Sequence, residues 1–257
     1  MNARIDVAIP ANVVPTQRFE RKFFVLPSKI GFAYTLLRQV CRKDSEYPEG
    51  QINTLYFDTP DLDQYTRSAS GDLRKDKVRI RWYGNIDNSQ GTVPVFLELK
   101  SRQGFASSKQ RQRLLVPAQD LQLSRLGAGI IDKTTLINTV ARFGHFLNKP
   151  LRPIILIIYW RYRFNEMLTG MRVSLDLGIR STMVAPELGY CEGELRLPGG
   201  IIEVKGPTVE LPVTLRRMKL LDIDWGRFSK YGHCIESHLS EPGTVGRLWP
   251  PGRMAEP

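Results

Sequence analysis

Cysteine, histidine and tryptophan are scarce in this chain of 257 residues, at three, three and four copies. The cysteines, Cys41, Cys191 and Cys234, are odd in number and far apart. That excludes a disulfide framework and a zinc site of paired thiolates, and it suits a reducing, cytoplasmic setting. His145, His233 and His238 lack a metal-ligand spacing. His145 reads as structural, and only His233, two residues after Tyr231, invites a place near a binding site. Long apolar runs are missing too. The richest, Pro153–Tyr159, is far short of the roughly 18 residues of a spanning helix, so no membrane segment is expected. Met1–Val14 carries Asp6, Pro10 and Asn12 and lacks the basic start and apolar run of a secretory signal. The glycine and serines of 104–108 have no Gly-Lys-Ser/Thr ending and read as a hairpin turn. The last shortage is negative charge. With 26 Asp+Glu against 37 Lys+Arg, the formal charge is +11, which points to a polyanionic partner without naming it.

The composition is otherwise that of a globular protein, with ample length for a core. The expected organisation is a flexible lead over 1–17, one domain over 18–239, and a flexible tail rich in proline and glycine over 240–257. Alternation predicts eight strands: 18–26, 51–58, 75–83, 93–102, 109–116, 152–165, 171–177 and 200–206, with a ninth near 192–197. Helical spacing predicts a helix over 28–42, two short ones within 119–148, one over 212–221, and a short one over 61–67. So many strands and so few helices argue for an antiparallel architecture of the α+β class.

The strands carry an unusual pattern. Side chains two apart share a face, and here the charges themselves alternate. Lys75, Lys77, Arg79 and Arg81 share one face, and Val78, Ile80 and Trp82 lie opposite. Glu98, Lys100 and Arg102 repeat this, as do Lys109, Arg111 and Arg113; Tyr159, Arg161 and Arg163; Arg172, Ser174 and Asp176; Glu203 and Lys205; and Glu20 and Lys22. The cations far outnumber the four carboxylates Glu20, Glu98, Asp176 and Glu203. One reading is the solvated outer face of a sandwich. The other is a closed eight-stranded barrel whose lumen holds the charges and whose apolar outside is covered by helices. Unpaired buried charge costs several kcal/mol per ion, so such a lumen needs a polyanion, which a triphosphate or polyphosphate supplies. The few carboxylates then suit a divalent metal bound together with phosphate oxygens. Asp176 shares a face with Arg172, so a salt bridge between them is the default expectation and a second metal contact the alternative. Glu98 beside Lys100 is ambiguous in the same way. Asp58 reads as a turn cap before Pro60.

An ordered set of motifs resembles a known family. Glu20-Arg21-Lys22, Tyr56-Phe57-Asp58-Thr59, Lys77-Val78-Arg79-Ile80-Arg81-Trp82-Tyr83, Glu98-Leu99-Lys100, Glu203-Val204-Lys205 and Ser229-Lys230-Tyr231 follow the order of the VTC domain, the polyphosphate polymerase domain of the triphosphate tunnel metalloenzyme (CYTH-like) superfamily. The resemblance runs from about residue 18 to 236. It implies a tunnel barrel in which a divalent metal, manganese or magnesium, bridges protein and triphosphate. It also implies that the γ-phosphoryl group of ATP, or another nucleoside triphosphate, passes to phosphate or a growing polyphosphate chain. Lys22, Arg79, Arg81, Lys100, Arg161 and Arg172 match phosphate-binding positions, Glu203 the metal-binding glutamate, and Lys230 a basic residue near the tunnel's end. Lys109, Arg111 and Lys205 are further cations on the same faces.

Such a transfer asks little covalent chemistry of the protein, in keeping with the absence of a nucleophile–base pair. The superfamily often opens with Glu-x-Glu-x-Lys, but here Arg18 stands at the first glutamate, which favours the polymerase branch. Eukaryotic polymerases also carry a regulatory N-terminal domain and membrane helices, neither of which is expected here. The alternatives are a triphosphatase or other phosphotransfer on the same scaffold, or a non-catalytic polyanion-binding module. Nucleic acid is not the expected partner, because the arginines alternate on strands without interleaved exposed aromatics.

Overall fold

The computed structural model describes residues 19–86, 91–103, 106–188, 193–223, 225–226 and 228–240. The expected lead over 1–17, residues 241–257 of the expected tail, Cys191, Glu192 at the start of the ninth predicted strand, and Gly104 at the predicted hairpin turn lie outside these. The period-two segments form strands. In chain order they are β1 (Phe19–Val25), β2 (Cys41–Lys43), β3 (Glu49–Asp58), β4 (Arg74–Tyr83), β5 (Thr92–Gln103), β6 (Ala106–Pro117), β7 (Arg152–Glu166), β8 (Arg172–Met183), β9 (Glu194–Arg196), β10 (Gly200–Gly206) and β11 (Trp225–Gly226). All join one antiparallel sheet in the order β11-β1-β10-β8-β7-β3-β4-β5-β6, with β2 added to β7 and β9 to β8.

The eight long strands are the eight expected, but the described residues show no ladder closing the ring. Strand β6 ends the path at one side. At the other, the edge of β1 that faces away from β10 is taken by β11, through Lys22 opposite Gly226 and Phe23 opposite Trp225. Side chains span the gap instead. Lys100 on β5 donates to Glu20 on β1 at 3.2 Å, and Lys77 on β4 donates to Ser229, just after β11, at 2.9 Å. The sheet is therefore curved enough to bring strands from its two ends into hydrogen-bond reach.

The outward alternation positions are apolar and covered. Helix α1 (Ile30–Val40) lays Ala33, Leu36, Leu37 and Val40 against Val173, Leu175, Ile202 and Val204. Each such aliphatic side chain contributes roughly 1.5–3 kcal/mol on full burial. The predicted helix over 212–221 is a 3₁₀ segment, Val213–Leu221, and adds Leu215, Met218 and Leu221 to this layer. Over β4, β5 and β6 the cover is two 3₁₀ turns, Ala118–Leu121 and Leu123–Ala128, followed by a helix over Lys133–Arg142 that Asp132 caps. The short helix expected over 61–67 spans Asp63–Ala69.

One helix is not outside. Residues Lys230–Leu239 form a helix, hereafter the plug helix, capped by Ser229, whose hydroxyl accepts from Gly232 N at 3.1 Å. It buries Tyr231, Cys234 and Ile235 among Tyr56, Ile155, Ile157 and Tyr159. Tyr56 and Tyr159 stand on the charged face of the sheet, beneath Arg79 and Arg161 respectively. The helix thus stoppers one end of the concave side. Asp58 fixes it there. This fully buried carboxylate accepts from Thr59, Gln64 and Tyr65 amides and from the Tyr231 hydroxyl at 2.6 Å. Burial holds Asp58 above the ordinary aspartate value, against the pull of these donors.

Candidate functional site

The register decides which charges meet. Across β1 and β10, Glu20 lies opposite Lys205 and Lys22 opposite Glu203. Arg161 faces Asp176 across β7 and β8. Arg79 faces Glu98 across β4 and β5, and Glu98 faces Arg111 across β5 and β6. Directly opposed side chains of unlike charge stabilise a sheet pair, so the curved face is knitted by its own ladder.

Three of its carboxylates are almost wholly removed from solvent, with Glu98 and Asp176 at 0% exposure and Glu203 at 6%. Glu98 accepts from Arg79 Nε at 2.8 Å, contacts Lys109 Nζ at 2.6 Å and Arg111 Nε at 3.5 Å, and has Arg81 at 3.9 Å. Burial pushes this carboxyl up, but Arg79, Arg81 and Lys109 outweigh it and hold Glu98 down at about 2. Arg79 also donates to the Tyr56 hydroxyl at 3.2 Å, and Arg81 to Thr54 Oγ1 at 3.3 Å. Arg111 lies 3.4 Å above the Phe96 ring centroid, a cation–π contact.

On the other wall Arg161 grips Asp176 with two bonds, at 2.6 and 2.7 Å. Lys230 reaches the same carboxylate at 2.5 Å and lies 4.8 Å over the Tyr159 ring. Glu203 pairs with Lys205 and has Arg161 at 3.7 Å. Burial opposes its ionisation, but Lys205, Arg161, Lys22 and Lys230 hold it well below the ordinary glutamate range. Glu20 contacts Lys22 at 2.8 Å, Lys100 at 3.2 Å and Lys205 at 3.9 Å. Burial and the nearby Glu203 both raise its carboxyl, and the three lysines bring it to about 2. Lys22 donates as well to the Phe228 carbonyl at 3.0 Å.

The lysines record the imbalance. Burial lowers Lys100 to about 8, with Lys22 and Lys205 adding repulsion that Glu20 and Glu203 only partly offset. Burial lowers Lys109 to about 8 too, even though it touches Glu98. The interior has more positive charge than its carboxylates can neutralise.

Of the residues expected here, Lys22, Arg79, Arg81, Lys100, Lys109, Arg111, Arg161, Glu203, Lys205 and Lys230 come together. Arg172 does not. It is exposed at the start of β8, opposite Lys205 and Asn165, and makes no ion pair among the described residues. The expected Asp176–Arg172 bridge is corrected accordingly: Asp176 holds Arg161 and Lys230. Glu98 likewise pairs across strands and not with its neighbour Lys100. His233 packs on Phe228, with ring centroids 4.1 Å apart, and His145 lies 3.4 Å from Asp76 on the outer face. Sequence reasoning passed over Lys77 as a site residue, although its alternation with Arg79 and Arg81 marks it.

The VTC domain family profile matches residues 17–239. The chain belongs to the VTC domain family. One relative is subunit 4 of the vacuolar transporter chaperone complex of Schizosaccharomyces pombe, 28% identical over 89 residues, which are 35% of this chain and 11% of that protein. The aligned stretch is thus a small part of that relative's length. Among solved structures, the putative adenylyl cyclase HpAC1 from Hippeastrum, described as having a dominant triphosphatase activity, aligns over 87% of this chain and 97% of its own, at 18% identity and a TM-score of 0.47. A putative adenylate cyclase from Bacillus halodurans aligns over 83% and 95%, at 16% identity and a TM-score of 0.48. Neither structural likeness is close enough to bear on function. No helix among the described residues is long and apolar enough to cross a membrane.

Proposed function

We propose that this VTC domain is a metal-dependent polyphosphate polymerase, which transfers the γ-phosphoryl group of ATP to phosphate or to a polyphosphate chain inside a tunnel formed by the curved sheet. The observation that carries this reading is the surplus of cations over carboxylates converging on one concave face. Arg79, Arg81, Lys100, Lys109 and Lys22 project toward a common space from strands at both ends of the sheet. Arginine forks match phosphate oxygens bidentately, and an anionic chain supplies the charge that the site lacks. A nucleophilic phosphate is already ionised, so alignment and charge neutralisation suffice without a general base.

The carboxylates suit a divalent metal unequally. Asp176 and Glu98 are held by arginine forks and buried fully. Glu203 and Glu20 are held mainly by lysines and lie near enough to repel one another. Lysines are flexible point charges that phosphate can draw away. No group of three His, Cys, Asp or Glu among the described residues forms a ready metal cage. Glu203, with Glu20 beside it, would therefore hold manganese or magnesium only with phosphate oxygens completing the shell, the usual manner for magnesium. When bound, the metal supplies charge neutralisation and orientation of the triphosphate.

Incubation with ATP and Mn²⁺ or Mg²⁺, with products resolved on a gel for phosphate chains, tests this. The expected result is long chains plus ADP, lost in Glu203→Gln. Free phosphate without chains would replace the polymerase by a triphosphatase. No ATP consumption with either metal would overturn the enzymatic reading.

A further inference from the structure

Every cation discussed so far near Glu20, Glu98, Asp176 or Glu203 touches one of them. Lys77 on β4 does not. Its ammonium donates to Ser229 Oγ at 2.9 Å and lies 5.8 Å from the Tyr231 ring centroid, and no carboxylate is within ion-pair distance among the described residues. The groups that face it are cations: Lys75 and Arg79 from its own strand, Lys100 from β5 and Lys22 from β1. From the plug helix it meets only neutral partners, the Ser229 hydroxyl and the Tyr231 phenol, with the imidazole of His233 beyond. Burial pushes that imidazole below its ordinary value, so it too stays uncharged near neutral pH, with Lys22 and Lys77 adding to the effect.

A half-buried charge without a counter-charge is costly, and the ring of cations makes it costlier. A purely structural lysine would be placed beside a carboxylate, as Lys230 is. Lys77 instead shares its face with Arg79 and Arg81 and stands opposite Lys100 in the ladder. Its hydrogen-bond acceptor among the described residues, Ser229, is the cap of the helix from which Lys230 reaches into the site.

We propose that Lys77 is a further phosphate-binding residue, and that it is protonated as the anionic chain arrives, so that binding of tri- or polyphosphate at this end of the interior takes up a proton. The inference rests on the reading of the concave face as a phosphate site and adds a residue and a proton to it. Burial, with Lys22, Lys100, Arg79 and Lys75 adding repulsion, brings the free ammonium down to about 7. At pH 8 the amine is mostly neutral. A phosphate oxygen beside it restores the charged form. The proton comes from a buffer acid, forms the third N–H bond at Nζ, and leaves an ammonium that donates to the phosphate.

Calorimetric titration with inorganic tripolyphosphate at pH 8, in two buffers of different ionisation enthalpy, reads this directly. Wild type takes up protons on binding. Lys77→Met takes up less, by roughly half a proton or more, and binds about tenfold more weakly. Lys77→Arg, charged throughout, keeps wild-type affinity but shows the smaller uptake. Without anion, Lys77→Met melts no lower than wild type, since it removes an amine whose charged form the surrounding cations disfavour. A lower melting point would mark Lys77 as structural and overturn the inference. So would unchanged affinity and uptake in Lys77→Met, with the phosphate reading left standing. No binding by wild type would overturn that reading and the inference together.

Discussion

The two walls of the concave face balance charge differently. On β1, β10, β8 and β7 three carboxylates, Glu20, Glu203 and Asp176, are interleaved with Lys22, Lys205 and Arg161, and Lys230 enters from the plug helix. On the concave side of β4, β5 and β6 a single carboxylate among the described residues, Glu98, meets Arg79, Arg81, Lys109 and Arg111, while Lys77 meets none among them. The first wall is close to self-neutral, the second far from it. In the proposed function this difference assigns roles: the acidic wall offers Glu203 and Glu20 to a metal, and the basic wall takes the phosphates.

Removing Glu98 strikes the contrast hardest. Glu98→Gln leaves four cations around a neutral amide. Loss of one partner from a buried pair typically costs about 3–5 kcal/mol, and denaturant unfolding of the ligand-free protein measures it. Asp176→Asn frees only Arg161 and Lys230 and is expected to cost less. Tripolyphosphate should restore more stability to Glu98→Gln than it adds to wild type. An Asp176→Asn protein less stable than Glu98→Gln would break the comparison.

Acid and alkali sharpen it. Glu20 and Glu98 ionise near 2 in the folded protein, against an ordinary value of 4.5. Their contribution is complete above about 4.5 and is lost as pH falls toward 2. Lys77, Lys100 and Lys109, at about 7, 8 and 8, sit below the ordinary 10.5. Between pH 7 and about 9 the unfolded chain therefore binds more protons than the folded one; above about 9 the buried thiols of Cys41 and Cys234, raised by burial, act in the opposite sense. The ligand-free protein should become more stable as pH rises through that window. Urea unfolding across pH checks both limbs, and polyphosphate should flatten the alkaline one.

Much of this was legible in the sequence. Period-two alternation located all eight long strands, because an inner face of charge and an outer face of Val, Ile and Leu are both regular. Partners were less legible. Asp176 and Arg172 share a face, but four residues along a strand span about 13 Å. Arg161 stands directly across the ladder, at the 4.5–5.5 Å typical of opposed side chains. Only register, a long-range property, reveals that. The expected closed ring depended on β11, two residues long and without a pattern of its own, which takes the edge of β1. The plug helix had a signal. Tyr231, Cys234, Ile235 and His238 are buried at helical spacing behind a serine cap, yet cysteine and histidine in that stripe hide it from an apolar count. The buried His238 lies 3.1 Å from Ser181, which satisfies it in the core.

Arg172 is the mildest test and the one that marks the site's edge. It matches a phosphate-binding position, yet it stands exposed at the strand's end with Lys205 across the ladder. A cation already solvated gives up little on mutation, so Arg172→Ala should change unfolding by no more than about 0.5 kcal/mol. A compact tripolyphosphate held among Arg79, Arg81 and Lys100 would not need it. A longer chain leaving along β8 would pass it. Binding should therefore weaken more for long polyphosphate than for tripolyphosphate, and less for either than in Arg79→Ala. Equal losses for both ligands would place Arg172 among the inner cations once anion is bound, and the acidic wall would then share in holding the phosphates.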